Sequence, residues 1–198
     1  MSEISENDVL AEFRAAGALL TGHFILTSGL HSPCYLQCAR VLMDPGRAAR
    51  LVAALTPRVA PARPDLIVAP ALGGIVLGYE LARQLGCPSL FVERVDGSFT
   101  LRRGFEIPAG ARIVVAEDVV TTGLSTRECI ACCRAAGGEV VAVACLVDRS
   151  AGKAELGVPL RRLATLDLPT YPQHRLPPDL AAIPAVKPGS RGLDARPG

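Results

Sequence analysis

The stretch IVVAEDVVTTGLS, residues 113–125, decides how the rest of the chain is read. Its opening residues Ile113, Val114, Val115 and Ala116 are apolar and mostly β-branched, which fits a strand buried on both faces of a parallel sheet. The strand runs into two carboxylates, Glu117 and Asp118. Val119 and Val120 follow, then the small polar run Thr121, Thr122, Gly123, Leu124, Ser125, and TRECIACCRAAG reads as a helix. A strand, a loop and a helix N-terminus in that order offer free backbone N–H groups, hydroxyls and a glycine that lets the backbone come close. Those features suit a phosphate monoester. The acidic pair can accept hydrogen bonds from sugar hydroxyls or approach a metal, so a phosphorylated sugar is the economical ligand. Hydroxyl-rich turns also cap ordinary helices, and the turn carries weight only together with the strand and acids before it.

The whole chain sets the limits. At 198 residues it fits one domain with a sizeable core, and with 49% hydrophobic but only 4% aromatic residues that core is aliphatic. A net charge of +2 gives no electrostatic case for nucleic acid or a membrane as partner. The N-terminus, MSEISENDVL, is acidic and polar, unlike a signal peptide. The longest apolar run, residues 66–79, is short for a bilayer span and is interrupted by Pro70, Gly73 and Gly74, so a cytoplasmic protein is expected. Seven cysteines, an odd number, suit reduced thiols. Cys129, Cys132 and Cys133 fall in one expected helix, where small buried side chains account for them better than a metal does.

Along the chain, Ser5 and Asp8 form a capping-box-like pair ahead of an amphipathic helix, and Asp44 with Pro45 opens another that Pro57, Pro61 and Pro64 break into a connector. Between them, two short apolar runs within residues 18–40 read as a hairpin-like hood. Strands at 66–69, 89–93, 113–116, 139–147 and 163–168 alternate with helices, including one at 75–85 after the tight loop 70–74. Residues 94–99 read as a loop around Asp96-Gly97, and 100–107 as an extra strand. The fold class is therefore α/β: a mostly parallel central sheet, helices on both faces, and a small N-terminal hood, with ligands at the carboxyl ends of the strands. Residues 1–175 form the single domain, and 176–198 read as a proline-rich mobile tail.

The apolar strand, Glu-Asp, two residues, Thr-Thr-Gly-x-Ser and a helix together resemble the phosphoribosyl diphosphate (PRPP) motif of the type I phosphoribosyltransferases. The rival phosphate patterns G-x-x-x-x-G-K-[ST] and G-x-G-x-x-G do not occur in the chain. GHFILTSGLHSPCYLQ at 22–37, LRRGF at 101–105 and LVDRS at 146–150 resemble the orotate phosphoribosyltransferases, and the likeness spans about residues 9–170. It implies transfer of ribose 5-phosphate from PRPP to N1 of orotate, with Mg2+ bound mainly through the pyrophosphate of PRPP and no dedicated metal ligands.

Carried over by position, residues 121–125 (Thr121, Thr122, Gly123, Leu124, Ser125) would hold the 5′-phosphate, Glu117 and Asp118 would take the ribose hydroxyls, and Val119 and Val120 would complete the PRPP-binding stretch. Gly73 and Gly74 of PALGG would face the pyrophosphate. Thr121 and Arg149 would contact orotate, and Ser28, Ser32 and Tyr35 would lie over the base. An arginine fork suits the ring carboxylate of orotate. The resemblance also implies a homodimer with a loop shared across the interface.

One departure is chemical. Better-studied relatives carry lysines in the mobile loop, the pyrophosphate loop and the hood; here the only lysines are Lys153 and Lys187. Arg94 is the nearest substitute and, with Asp118, the expected catalytic residue. Arg102 and Arg103 also lie nearby, although a solvated strand face accounts for them equally well. His23 and His31 of the hood read as ordinary loop histidines, with His31 in reach of substrate. Transfer to another base, or a PRPP-sensing regulator without turnover, remain the alternatives.

Overall fold

The structure is a computed structural model that describes residues 4–26 and 29–188. Helix α1 (Glu6–Ala15) starts as its sequence dictates. The Asp8 N–H donates to the Ser5 hydroxyl at 3.2 Å, and the Ser5 N–H donates back to the Asp8 carboxylate at 3.2 Å. This fixes the helix so that Val9, Leu10 and Phe13 enter the core. The hood follows as an antiparallel pair, β1 (Leu19–Ile25) and β2 (His31–Leu36).

After the short α2 (Ala39–Leu42), α3 (Pro45–Val59) begins where Asp44 accepts the Arg47 N–H at 3.0 Å. It does not stop at Pro57 as expected. Its last turn carries Leu55 and Val59 into the core, and burying two such side chains outweighs the backbone bond that proline forfeits.

The central elements are β3 (Leu66–Pro70), α4 (Gly73–Leu85), β4 (Ser89–Val95), β5 (Ser98–Leu101), β6 (Arg112–Val120), α5 (Leu124–Ala135), β7 (Glu139–Asp148) and β8 (Leu160–Thr165). Among the described residues they form a sheet in the order β5-β4-β3-β6-β7-β8, parallel throughout except for β4 against β5. The alternation along β6 explains why it is apolar on both sides. Val114 and Ala116 pack with Leu51, Leu55 and Leu77 in one layer, and Ile113 and Val115 with Cys129, Ile130 and Cys133 in the other. The cysteines are all unpaired; Cys129 and Cys133 of α5 are buried in the core and Cys132 is half-buried against it.

Two expectations change. Residues 94–99 are no open loop: Val95 pairs with Ser98, and Asp96 (φ 49°) and Gly97 (φ 85°) make a two-residue left-handed turn, so β4 and β5 form a tight hairpin. The extra strand accordingly ends at Leu101.

Residues 176–188, expected as a tail, dock on the hood. The short α6 (Pro178–Ala181) buries Leu180, and Val186 pairs with β1. Main-chain pairing holds this segment, which is why it lacks apolar periodicity. Residues 189–198 lie outside the described part.

Candidate active site

A cleft of about 610 Å³ opens at the carboxyl ends of the central strands, between sheet and hood. The 121–125 turn forms its floor. Gly123 (φ 75°) is the N-cap of α5, and a Cβ there would stand 2.8 Å from Leu156, so both conformation and space require glycine. With no side chain at the cap, only the Leu124 N–H of the first three in α5 finds an acceptor among the described residues, the Thr122 hydroxyl at 3.4 Å, and Thr121, Thr122 and Ser125 line the cleft beside it. Arg127 pins the turn from behind by donating to the Thr122 carbonyl at 3.0 Å.

The two carboxyls lie within hydrogen-bonding reach of each other but have different surroundings. Glu117 lines the cleft at 8% exposure. Asp118 turns toward the N-terminus of α4, where a Cβ on Gly73 would come within 3.0 Å of its carboxylate. A Cβ on Gly74 would come 2.5 Å from the Ala116 carbonyl. These two glycines let loop 70–74 press against β6 and the Asp118 carboxylate, beside the cleft rather than within it.

Burial, with the neighbouring Asp118 charge second, pushes the Glu117 carboxyl up to about 9. Asp118 is also raised by burial, but the Val119 N–H, donating at 2.8 Å, favours its charged form. The pair therefore retains a proton at neutral pH, and Glu117 can donate as well as accept.

Arg149 reaches the cleft from the end of β7, and its Nε is buried without a hydrogen-bond partner. Such orphaned donors are rare in folded proteins. Beside it, Asp148 is wholly buried and accepts from the Ser150 N–H (2.8 Å), the Ser150 hydroxyl (2.6 Å) and the Gly152 N–H (3.1 Å). In the Asp-Arg pair, then, the carboxylate holds the loop while the guanidinium faces the ligand space.

Arg94 also lines the cleft. It donates to the Gly97 carbonyl at 2.7 Å, pairs with Glu128 of α5 and lies 4.2 Å over the Phe99 ring. Arg103 is instead held on the surface by both oxygens of Glu93, at 3.0 and 2.9 Å, and Arg102 is exposed. Tyr35 lines the cleft as expected. Ser32 does not: it is fully buried in the hood, where its hydroxyl accepts the Cys34 N–H at 3.3 Å. Ser28 lies outside the described residues. His23 and His31 are buried against each other, away from the cleft lining. Sequence reasoning missed Glu128, Arg127, Thr170 and Pro188. The first two are ordinary helix residues by pattern, and the last two border the cleft only because the C-terminal segment docks.

Among the described residues, no group of three His, Cys, Asp or Glu side chains converges as a metal site, and no helix is long and apolar enough to cross a membrane.

A sequence profile of the phosphoribosyl transferase domain matches residues 47–164, so strand, acids and turn are those of a phosphoribosyltransferase. The chain is 61% identical to an orotate phosphoribosyltransferase of Methylobacterium sp. (strain 4-46), over 95% of this chain and 97% of the relative. It is 58% identical to one from Phenylobacterium zucineum (strain HLK1), over 96% and 99%. The crystal structure of orotate phosphoribosyltransferase from Aeropyrum pernix superimposes with a TM-score of 0.67 at 30% identity, covering 80% of this chain and 93% of that one. The chain belongs to the orotate phosphoribosyltransferase family. An adenine phosphoribosyltransferase from Thermoanaerobacter pseudethanolicus, at 20% identity and a TM-score of 0.56 over 67% of this chain and 88% of that one, shares the fold.

Proposed function

We infer that this chain transfers the ribose 5-phosphate group of PRPP to N1 of orotate, giving orotidine 5′-monophosphate and pyrophosphate for pyrimidine nucleotide synthesis. The observation that carries the reading is the unpartnered Arg149 Nε in the same cleft as an uncapped, hydroxyl-rich helix N-terminus. One end of the cleft fits a phosphate and the other lacks a carboxylate. Orotate supplies that carboxylate, whereas a neutral purine or uracil does not.

In this reading the first-turn N–H groups of α5 and the hydroxyls of Thr121, Thr122 and Ser125 hold the 5′-phosphate. Glu117, with its retained proton, takes a ribose hydroxyl as donor or acceptor. Asp118 stands between the ribose and the Gly73-Gly74 loop, near the bond that breaks as pyrophosphate leaves C1. Its negative charge favours positive charge developing on the ribose, and Arg94 and the loop N–H groups favour the charge leaving with pyrophosphate. The hood limits water access. Mg2+ bound to the pyrophosphate of PRPP would supply charge neutralisation there, beside Arg94 and the loop N–H groups. Glu117 and Asp118 are the carboxylates near enough to the ribose to help hold such an ion.

The protein works as a homodimer in the cytoplasm. Leu72 (80% exposed), Val76 and Tyr79 (66% exposed) share one face of α4 and its cap, with Met43 exposed on the neighbouring connection. An apolar stripe of that kind suits a second copy. The loop expected to be shared is the 94–99 hairpin, whose arginine lines the cleft of its own chain. The unpaired cysteines suit a reducing compartment.

The test is loss of orotate absorbance on adding PRPP and Mg2+, with adenine, hypoxanthine and uracil as controls. Consumption of orotate alone is expected; turnover of a control base with orotate left untouched overturns the assignment.

A further inference from the structure

The hood is a two-stranded sheet with two open edges, and the C-terminal segment occupies both. At the β2 edge, His31 and Tyr171 exchange a pair of backbone hydrogen bonds, each 2.8 Å. At the β1 edge, the Val186 N–H donates to the His23 carbonyl at 2.8 Å, and the Ile25 N–H donates to the Val186 carbonyl at 2.9 Å.

Two imidazoles connect these edges. His23 Nδ1 is 2.8 Å from the Ile183 carbonyl, and His23 Nε2 is 2.6 Å from His31 Nδ1. The carbonyl only accepts, so Nδ1 of His23 carries a proton. In the neutral ring Nε2 is then the acceptor, and His31 must donate from Nδ1. With both rings neutral, one arrangement of protons satisfies the whole line, running from β2 through β1 to the C-terminal segment. Both rings are buried, so an unmade bond here would carry the desolvation cost of an unpaired polar group.

The segment fixed in this way meets the cleft at its two ends. Thr170, next to the Tyr171 bridge, and Pro188, two residues beyond Val186, line the same cleft as Tyr35 and Arg149. The hood they adjoin brings Cys34 and Tyr35 beside Arg149.

We propose that residues 170–188 form the outer wall of the nucleobase pocket, and that His23 and His31 are positioning residues that fix this wall to the hood and so set affinity for orotate without touching it. This rests on the orotate reading given above. A loosened wall weakens the base end of the cleft and leaves the phosphate turn of α5 in place.

The test uses His31→Phe, which keeps ring volume and loses the donor, and His31→Asn, whose amide nitrogen restores a donor near the Nδ1 position. Val186→Pro is the independent variant, since it removes the N–H that pairs with β1 at an exposed position. His31→Phe and Val186→Pro should each raise the Michaelis constant for orotate by roughly fivefold to tenfold, the loss of one buried hydrogen bond. The constant for PRPP should move less than about twofold, and His31→Asn should recover most of the orotate affinity. Amide exchange at residues 183–188 should speed up in His31→Phe.

Orotate constants unchanged in both variants, or orotate and PRPP constants rising together, overturn the proposal. If His31→Phe fails to fold, Val186→Pro decides by the same readout. A wild-type enzyme idle on orotate overturns the functional reading and this proposal with it, whereas an active wild type with unchanged variants overturns this proposal alone.

Discussion

Replacing Arg149 with methionine separates a ligand-reading arginine from a structural one, because the two roles predict opposite signs for stability. In the free protein the Arg149 Nε is buried without a partner, and burial holds the guanidinium below its ordinary range. Both facts say that the side chain is under-solvated until something anionic arrives. Arg149→Met keeps the length of the apolar stem and removes the orphaned donor. Stability should therefore hold or rise by about 1 kcal/mol, the lower end of what an unpaired buried polar group costs.

Binding should respond the other way. A charge-assisted pair closed off from water is worth about 2–5 kcal/mol on truncation, so kcat/KM for orotate should fall by roughly thirtyfold to several thousandfold. PRPP affinity, measured by calorimetry, should stay within about threefold, because the α5 turn does not depend on Arg149. Denaturant titration supplies the stability and steady-state kinetics the rest. A variant that is less stable and loses both ligands equally would show Arg149 to be structural, and one that handles orotate normally would remove it from the site altogether.

Arg94→Ala should lower kcat by roughly two orders of magnitude with little change in PRPP binding, and Arg94→Lys should restore part of the rate, since the task is electrostatic; full activity in Arg94→Ala would move the search to Arg102. Glu128→Gln, which frees Arg94 from its carboxylate partner, should tighten PRPP binding measured at low salt, and weaker binding would show that the pair positions Arg94 rather than restrains it. The Glu117 carboxyl is raised in the fold to about 9, so the folded protein holds a proton that the unfolded chain has lost. Its contribution is fully present below the unfolded glutamate value and is lost as pH rises toward about 9. Denaturation midpoints should fall across that window in wild type and fall less in Glu117→Gln; equal slopes would refute the assignment. Tyr79→Glu should shift sedimentation from dimer to monomer, and an unchanged dimer would place the interface elsewhere.

What the sequence made legible was local. The 113–125 stretch could be read because a two-faced strand, an acid pair and a glycine at positive φ each leave a mark within a few residues, and the capping box at Ser5 and the parallel order of the sheet follow the same logic. Side-chain partnerships across distance left no such mark. Glu128 meets Arg94 from 34 residues away, and nothing in either neighbourhood announces the pair. The C-terminal segment reads as a tail because its hold on the hood is mostly main-chain pairing, with one buried leucine and one imidazole-to-carbonyl bond, and backbone groups are the same for every sequence. His23 and His31 read as loop residues in sequence for the same reason: each finds its partner in the other.

Replacing lysine by arginine changes which groups of the cleft can titrate. The cations lining the described cleft are Arg94 and Arg149, and arginine keeps its charge at any working pH. A lysine in the same place would be open to a lowered pKa by burial, so relatives built on lysine can titrate through the cation. Here that route is closed. Burial also raises Tyr35 above its ordinary range, moving it further from neutrality. Glu117 is then the cleft group whose charge changes as the solution becomes alkaline. An alkaline limb in kcat/KM, which reports the free enzyme, should therefore belong to the acid pair, and Glu117→Gln should remove it while leaving the rate at neutral pH largely intact. A limb that persists in Glu117→Gln would return the titration to a group outside the cleft.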